Sequence, residues 1–339
     1  MVHKRKTLTY GDVLLVPQYS EIMSRKEIDI GGLLDHDIYL SLPIVSSPMD
    51  TVTEERMANA MSDAGGTGII HRYNSIDEQC DLIAKTDGFV GGAIGITGDY
   101  LTRASALAVA GAAFLCVDVA HGHHVLVKNA IAELRRRYKR RFHIMAGNVA
   151  TLEAFNDLSD WGADSIRVGI GGGSICSTRI QTGHGVPGLQ SVLECAKSDR
   201  DAKLVADGGI KTSGDIVKAL AAGADFVMLG SMLAGTDETP GQLLTSVDGK
   251  SYKVYRGMAS REAQVAWRGE ANSLEGISTT LPYKGSVVNI LKEIKQNIRS
   301  GFSYSGATKL AELHARAKFI VQTPAGQSES DTHILHRSK

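Results

Sequence analysis

Short, almost unbroken apolar runs recur along the chain and alternate with stretches of helical amphipathic spacing. Eight runs stand out: Pro43 to Ser47, Gly68 to His71, Val90 to Gly95, Phe114 to Asp118, His143 to Asn148, Ser165 to Ile170, Leu204 to Gly209 and Phe226 to Ser231. Near-continuous hydrophobicity over such lengths is what a parallel strand covered on both faces requires, and helical patterns such as Ser213 to Ala222 separate several of the runs. Eight strand-helix units predict a (β/α)8 barrel, the TIM-barrel architecture of the α/β class. An open doubly wound sheet could use the same units. No Gly-x-Gly-x-x-Gly turn follows the first run, however, so its dinucleotide-binding form lacks its signature.

The 339 residues are expected to form one barrel domain, because no Pro- or Ser-rich linker interrupts the pattern. With 37 basic and 37 acidic residues, the chain has no global attraction for nucleic acid or an anionic membrane. The basic run Arg135 to Arg141 follows the helix-like Lys128 to Leu134, where it suits the negative end of a helix dipole. No long apolar stretch predicts a membrane span, and Met1 to Lys6 leads into no apolar signal core, so a cytoplasmic location is expected. The polar tail from Thr323 to Lys339 fits either disorder or packing on a neighbour.

Cys80, Cys116, Cys176 and Cys195 show neither Cys-x-x-Cys spacing nor a disulfide framework. Cys116 falls in an apolar strand, and Cys80 and Cys195 fall in helical segments, as small core hydrophobes do. Only Cys176 sits in a loop. His121, His123 and His124 crowd the turn after the fourth run without companion metal ligands, and are expected to line a pocket.

In a barrel of this kind, the C-terminal ends of the strands share the face that carries the site. Here those ends are Ser47-Pro48-Met49, His71-Arg72, Asp118, Asn148, the loop around Cys176, Asp207-Gly208-Gly209 and Gly230-Ser231. The loop Gly169-Ile170-Gly171-Gly172-Gly173-Ser174-Ile175-Cys176-Ser177-Thr178 strips side chains from the backbone, so that N–H groups can converge on an anion beside a nucleophilic sulfur. Gly208-Gly209 and Gly230-Ser231 offer further backbone donors where barrels hold phosphate. Asp207, acceptor-only when ionised, suits a ribose diol.

Together with the runs Leu8 to Pro17, Ser46 to Val52, Ala146 to Val149, Ala206 to Ile210, Met228 to Ser231 and Tyr255 to Met258, this loop resembles the IMP dehydrogenase/GMP reductase family nearly from end to end. The resemblance implies a purine nucleoside monophosphate, GMP or IMP. Its phosphate would meet Ser174, Gly208, Gly209, Gly230, Ser231 and Tyr255, and its ribose Asp207. Ser47 and Asn148 would join the substrate pocket, and Met49, Gly257 and Met258 would meet the base. Cys176 would attack purine C2 from a catalytic loop spanning about residues 171–187, with Thr178 beside it and Glu275 as acid or base on a flap spanning about residues 257–285. Thiolate addition divides a difficult exchange at C2 into two easier steps.

Members of the family either oxidise IMP with NAD+ or reduce GMP with NADPH, releasing ammonia. Two features point to the reductase: only residues 72–89 separate the second and third runs, leaving no room for a regulatory CBS insert, and residues 261–274 hold no Arg-Tyr dipeptide to activate water. The wording Gly257-Met258-Ala259-Ser260 and Glu275 to Thr279 also resembles bacterial reductases. The run Thr178 to Pro187 and the segment Ser46 to Thr53 resemble a dehydrogenase instead. The expected cofactor is NADPH, or NAD for a dehydrogenase, with Asp118, Ala120 and His121 near the nicotinamide and Arg72 as a partner for the 2′-phosphate. The resemblance further implies a monovalent cation, potassium, on the carbonyls of Gly171, Gly173 and Cys176, although Gly172 stands where proline is usual, and a homotetramer. A flavin-dependent barrel and a non-catalytic nucleotide binder are the alternatives from other classes. Neither calls for Cys176, Thr178 and Glu275 together.

Overall fold

The computed structural model describes residues 7–330. Met1 to Lys6 and the tail beyond residue 330 lie outside the described residues. The eight apolar runs become eight parallel strands: β1 (Ile44–Ser46), β2 (Thr67–Ile70), β3 (Val90–Ile94), β4 (Phe114–Asp118), β5 (His143–Val149), β6 (Ser165–Val168), β7 (Lys203–Asp207) and β8 (Phe226–Leu229). They pair in chain order, and β8 closes on β1 through Val227 with Ile44, Met228 with Val45 and Leu229 with Ser46, which makes a (β/α)8 barrel.

Helices α1 (Glu55–Asp63), α2 (Ile76–Ala84), α3 (Tyr100–Ala110), α4 (Val125–Tyr138) and α5 (Leu152–Asp160) follow the first five strands. The short α6 (Thr178–Thr182) and α7 (Gly188–Cys195) follow β6, and α8 (Ser213–Ala221) follows β7. After β8 come α9 (Arg261–Arg268), α10 (Val287–Tyr304), α11 (Leu310–Arg316) and α12 (Pro324–Glu329). Capping boxes start α2 at Ser75 and Glu78 and α8 at Thr212 and Asp215, so both helices begin where their first orphan N–H groups find side-chain acceptors.

Strand residues alternate between two cores. Val45, Ile69, Ala93, Phe114, Cys116, Met145, Val205, Phe226 and Met228 fill the barrel interior together with Leu34 and Leu40. Those two belong to an antiparallel hairpin, Gly32–Asp35 with Ile38–Leu40, that packs its apolar face into the same core. The residues between them, such as Ile44, Ile70, Leu115, Ile144, Ala146, Leu204 and Val227, face the helices. Double-sided burial explains why the runs read as continuous rather than alternating.

Arg135, Arg136 and Arg137 occupy the last turn of α4, as the basic run predicts. Cys116 and Cys195 are buried, and burial pushes both thiols up to about 12, which fits their reading as core hydrophobes. No helix among the described residues is long and apolar enough to cross a membrane.

Candidate active site

The glycine loop leaves β6 through Gly169, whose φ is +150° and where an added Cβ would stand 1.8 Å from the Asp207 carbonyl oxygen. Only glycine lets the loop pass this close to the end of β7. Farther on, Arg179 donates to the carbonyls of Ile170 at 3.3 Å and Val186 at 2.6 Å, tying both ends of the loop together.

Residues 175–177 then pair with residues 275–277. Ile277 N donates to Ile175 O at 3.1 Å, Ser177 N donates to Glu275 O at 2.8 Å, and Cys176 bridges Gly276. This pairing brings the two distant segments together: Cys176 Sγ donates to Thr178 Oγ1 at 3.2 Å, and Thr178 Oγ1 donates to Glu275 Oε2 at 2.7 Å. The hydroxyl is thus both acceptor and donor in a continuous path from a thiol to a carboxylate.

The path opens on a cavity of about 320 Å³ lined by Ser47, Met49, Arg72, Asp118, Ala120, Asn148, Gly171, Gly173, Cys176, Thr178, Asp207, Gly208, Tyr255, Gly257, Met258 and Glu275, among others. A second cavity of about 90 Å³ shares Ser47, Met49, Asp207, Gly208 and Tyr255 with the first and adds Ser174, Gly209, Lys211, Gly230 and Ser231. The larger space suits a base and a second ring; the smaller, rich in backbone N–H and hydroxyl groups, suits a phosphate. Tyr255 and Ser174 face each other there at 3.5 Å, and burial pushes the Tyr255 phenol up, which keeps it a neutral donor.

At the barrel's inner end of the cavity, Asn148 Nδ2 donates to the Gly169 carbonyl and to Asp207 Oδ2, both at 2.8 Å. Arg167 donates to the same Asp207 oxygen at 3.1 Å and to Asp118 Oδ1 at 2.5 Å. Burial alone would lower the Arg167 pKa, yet the carboxylates of Asp118 and Asp207 outweigh it and hold the guanidinium charged. Arg72 Nε lies 3.8 Å from Asp118 and has no hydrogen-bond partner among the described residues.

Almost every residue expected from the sequence therefore lines one of two adjoining cavities. The histidines do not. His121 is exposed and outside both walls, His123 bonds Asp157 at 2.8 Å and stacks on Trp161, and the His124 side chain accepts from Leu126 N to cap α4. His123 and His124 are drawn to the nearby helices rather than inward. The flap also differs from a bare loop: Ser251–Arg256 and Ser278–Pro282 form an antiparallel pair beyond the barrel, and α9 lies between them in sequence. Sequence reasoning missed Arg167, although a lone arginine inside an apolar strand was a visible signal. It also missed Tyr73 and Trp267, which mark where the flap docks.

The chain matches the IMP dehydrogenase/GMP reductase domain over residues 7–333. It is 34% identical to the inosine-5′-monophosphate dehydrogenase of Nitrosopumilus maritimus, covering 97% of this chain and 98% of that protein, and 33% identical to the GMP reductase of Leishmania donovani, covering 97% of each. A crystal structure of a Cys-to-Ala variant of Trypanosoma brucei GMP reductase in complex with guanosine 5′-monophosphate superposes with a TM-score of 0.92 at 32% identity, covering 97% of this chain and 98% of that one. Those two sequence alignments extend over 473 and 479 positions against 339 residues here, so the dehydrogenase and the reductase both carry inserted stretches. A Cryptosporidium parvum dehydrogenase, 36% identical, aligns over only 386 positions. The missing insert therefore does not separate the two activities. By sequence, fold and coverage, the chain belongs to the IMP dehydrogenase/GMP reductase family of oxidoreductases.

Proposed function

We propose that the protein is a GMP reductase, converting GMP to IMP and ammonia with NADPH. The observation that carries this reading is the hydrogen-bonded path from Cys176 through Thr178 to Glu275. As the Cys176 sulfur bonds to purine C2, its proton passes through the Thr178 hydroxyl to the Glu275 carboxylate. The same proton, returned through Thr178, lets the C2 amino group leave as ammonia rather than as a costly amide anion. Reduced nicotinamide would supply the hydride for C2 when bound; Cys176 would then leave C2 as a thiolate and regain its proton from solvent as IMP is released.

The flap supports the same direction. It offers no Arg-Tyr pair, and its Arg268 lies against the Trp267 ring, 4.4 Å from the centroid, rather than serving as a base for water. Asp207 holds the ribose, Met49, Gly257 and Met258 face the base, and the smaller cavity receives the phosphate. Asp118 and Ala120 line the nicotinamide side, and Arg72, whose Nε makes no hydrogen bond to the described residues, meets the 2′-phosphate of NADPH. We assign a potassium ion to the carbonyls of Gly171, Gly173 and Cys176, and a cytoplasmic homotetramer as the working form.

IMP dehydrogenase is the second reading, favoured by the Nitrosopumilus maritimus relative, which is 34% identical against 33% for the Leishmania donovani reductase at nearly the same coverage. Nicotinamide absorbance decides between them, measured in potassium buffer with GMP plus NADPH and separately with IMP plus NAD+. Loss of NADPH with ammonia release in the first mixture alone is the expected result. Growth of NADH in the second alone overturns the proposal.

A further inference from the structure

Strand β6 turns Ser165 and Arg167 toward the barrel interior, beside apolar side chains such as Cys116, Met145 and Val205. A charge is kept there only if it is fully paired. Arg167 is 6% exposed, and its fork is divided between two strand ends: Nη1 donates to Asp118 Oδ1 at 2.5 Å at the end of β4, whereas Nη2 and Nε donate to Asp207 Oδ2 at 3.1 and 3.4 Å at the end of β7. Asn148 adds a third donor to the same Asp207 oxygen at 2.8 Å. Protein donors thus occupy Asp207 Oδ2, and Asp207 lines both cavities. Asp118 lines the larger cavity with Val119 and Ala120.

We propose that Arg167 is a positioning residue that couples the nucleotide site to the dinucleotide site, each ligand raising affinity for the other. One rigid guanidinium fixes two carboxylates that serve different ligands. A ribose hydroxyl that draws Asp207 toward the nucleotide also sets the shared fork, and the fork sets Asp118, so the first ligand places the carboxylate that the second one meets. Reciprocity follows from linkage: the factor by which the nucleotide aids the dinucleotide equals the factor in reverse. The proposal rests on the proposed placement of the ribose at Asp207 and the nicotinamide at Asp118, and on the reductase reading for the identity of the dinucleotide.

IMP and NADPH make a non-reacting pair under either reaction direction, so their binding tests the coupling apart from the activity assay. Calorimetric titration of IMP with and without saturating NADPH is expected to show about tenfold tighter binding with it, within the usual range of site coupling. In Arg167→Lys a single ammonium can bond either carboxylate but not grip both. Each ligand alone should then bind within about threefold of the wild type, while the coupling falls below about threefold. Arg167→Met, if it folds, should abolish the coupling. A merely structural arginine would weaken both ligands and leave the ratio unchanged, and that result, or no coupling in the wild type, overturns the proposal. The GMP-plus-NADPH assay, run on the same preparation, tells whether the reductase reading stands independently.

Discussion

Tyr73 and Trp267 stack face to face, with ring centroids 4.2 Å apart and 16° between their planes. Tyr73 belongs to the loop after β2 and lines the main cavity, and Trp267 lies near the end of α9 on the flap. Arg72 lies 5.5 Å from both rings, and so the contact joins the flap to the proposed cofactor wall. A stacked pair contributes about 0.5–1.5 kcal/mol beyond its buried area, enough to shift flap closure roughly 2- to 12-fold. Tyr73→Leu should therefore raise the KM for NADPH by that factor and expose Trp267, with red-shifted emission and stronger acrylamide quenching. Unchanged emission would show that the stack does not hold the flap.

The path through Thr178 makes a different prediction, one of non-additivity. Glu275→Gln removes the proton acceptor, and Thr178→Val breaks the connection to it while filling nearly the same volume. Each should lower kcat by about 10²–10⁴-fold. Because both act on one proton path, the double variant should be little worse than the more damaged single variant. Steady-state kinetics on the three proteins checks this, and a multiplicative loss would mean that Thr178 and Glu275 act separately. IMP affinity should change by less than about threefold throughout, since neither group is assigned to ground-state binding.

The barrel was legible because each strand is buried on both faces, leaving an unbroken apolar run, and all eight runs became barrel strands. Strand ends such as Asp118, Asn148, Asp207 and Ser231 were legible for the same reason: once the strands are placed, the fold decides which end shares a face. What escaped was pairing between distant segments. Nothing local in Tyr73 or Trp267 announces their contact, and the residues 175–177 to 275–277 pairing depends on backbone hydrogen bonds that any sequence can make. The histidine turn misled because side-chain chemistry alone does not say which way a loop residue faces.

Asp50 and Arg256 link the two segments assigned to the purine base. Arg256 donates through Nε at 2.9 Å and Nη2 at 2.6 Å to Asp50 Oδ2, and Asp50 N approaches Met258 Sδ at 3.4 Å. The pair is mostly buried, with side-chain exposures of 9% for Asp50 and 24% for Arg256, so removing one partner strands the other charge. Arg256→Met should destabilise the protein by about 3 kcal/mol. Arg256→Lys keeps the charge but not the two-pronged grip, and should raise the KM for GMP several-fold with little change in unfolding midpoint. Equal KM values for Arg256→Lys and wild type would remove the pair from substrate positioning.

The far end of the barrel carries a pH-dependent latch of stability. Asp35, on the interior hairpin, bonds His143 Nδ1 at 3.1 Å, and His143 Nε2 bonds Ser165 Oγ at 2.8 Å. The His143 hydrogen bond is the largest cause that lowers the Asp35 pKa to about 2, opposed by partial burial. A carboxyl that titrates lower in the folded chain than in the unfolded one stabilises the fold above its unfolded value, near 3.9, and loses that contribution as pH falls through about 2. Solvent reaches part of this carboxylate and screens it, which reduces the contribution to on the order of 1 kcal/mol. Asp164, the other carboxylate near His143, is paired with Arg135, and Asp35→Asn keeps an oxygen for the His36 N–H, which Asp35 Oδ1 accepts at 2.7 Å. In urea unfolding, Asp35→Asn should be less stable than wild type by about that amount at pH 5, and the two proteins should converge between pH 4 and pH 2 as the wild-type carboxylate takes up its proton. Parallel curves across that interval would mean that the hairpin is held by its apolar face, Leu34 and Leu40, and that the charge on Asp35 contributes nothing.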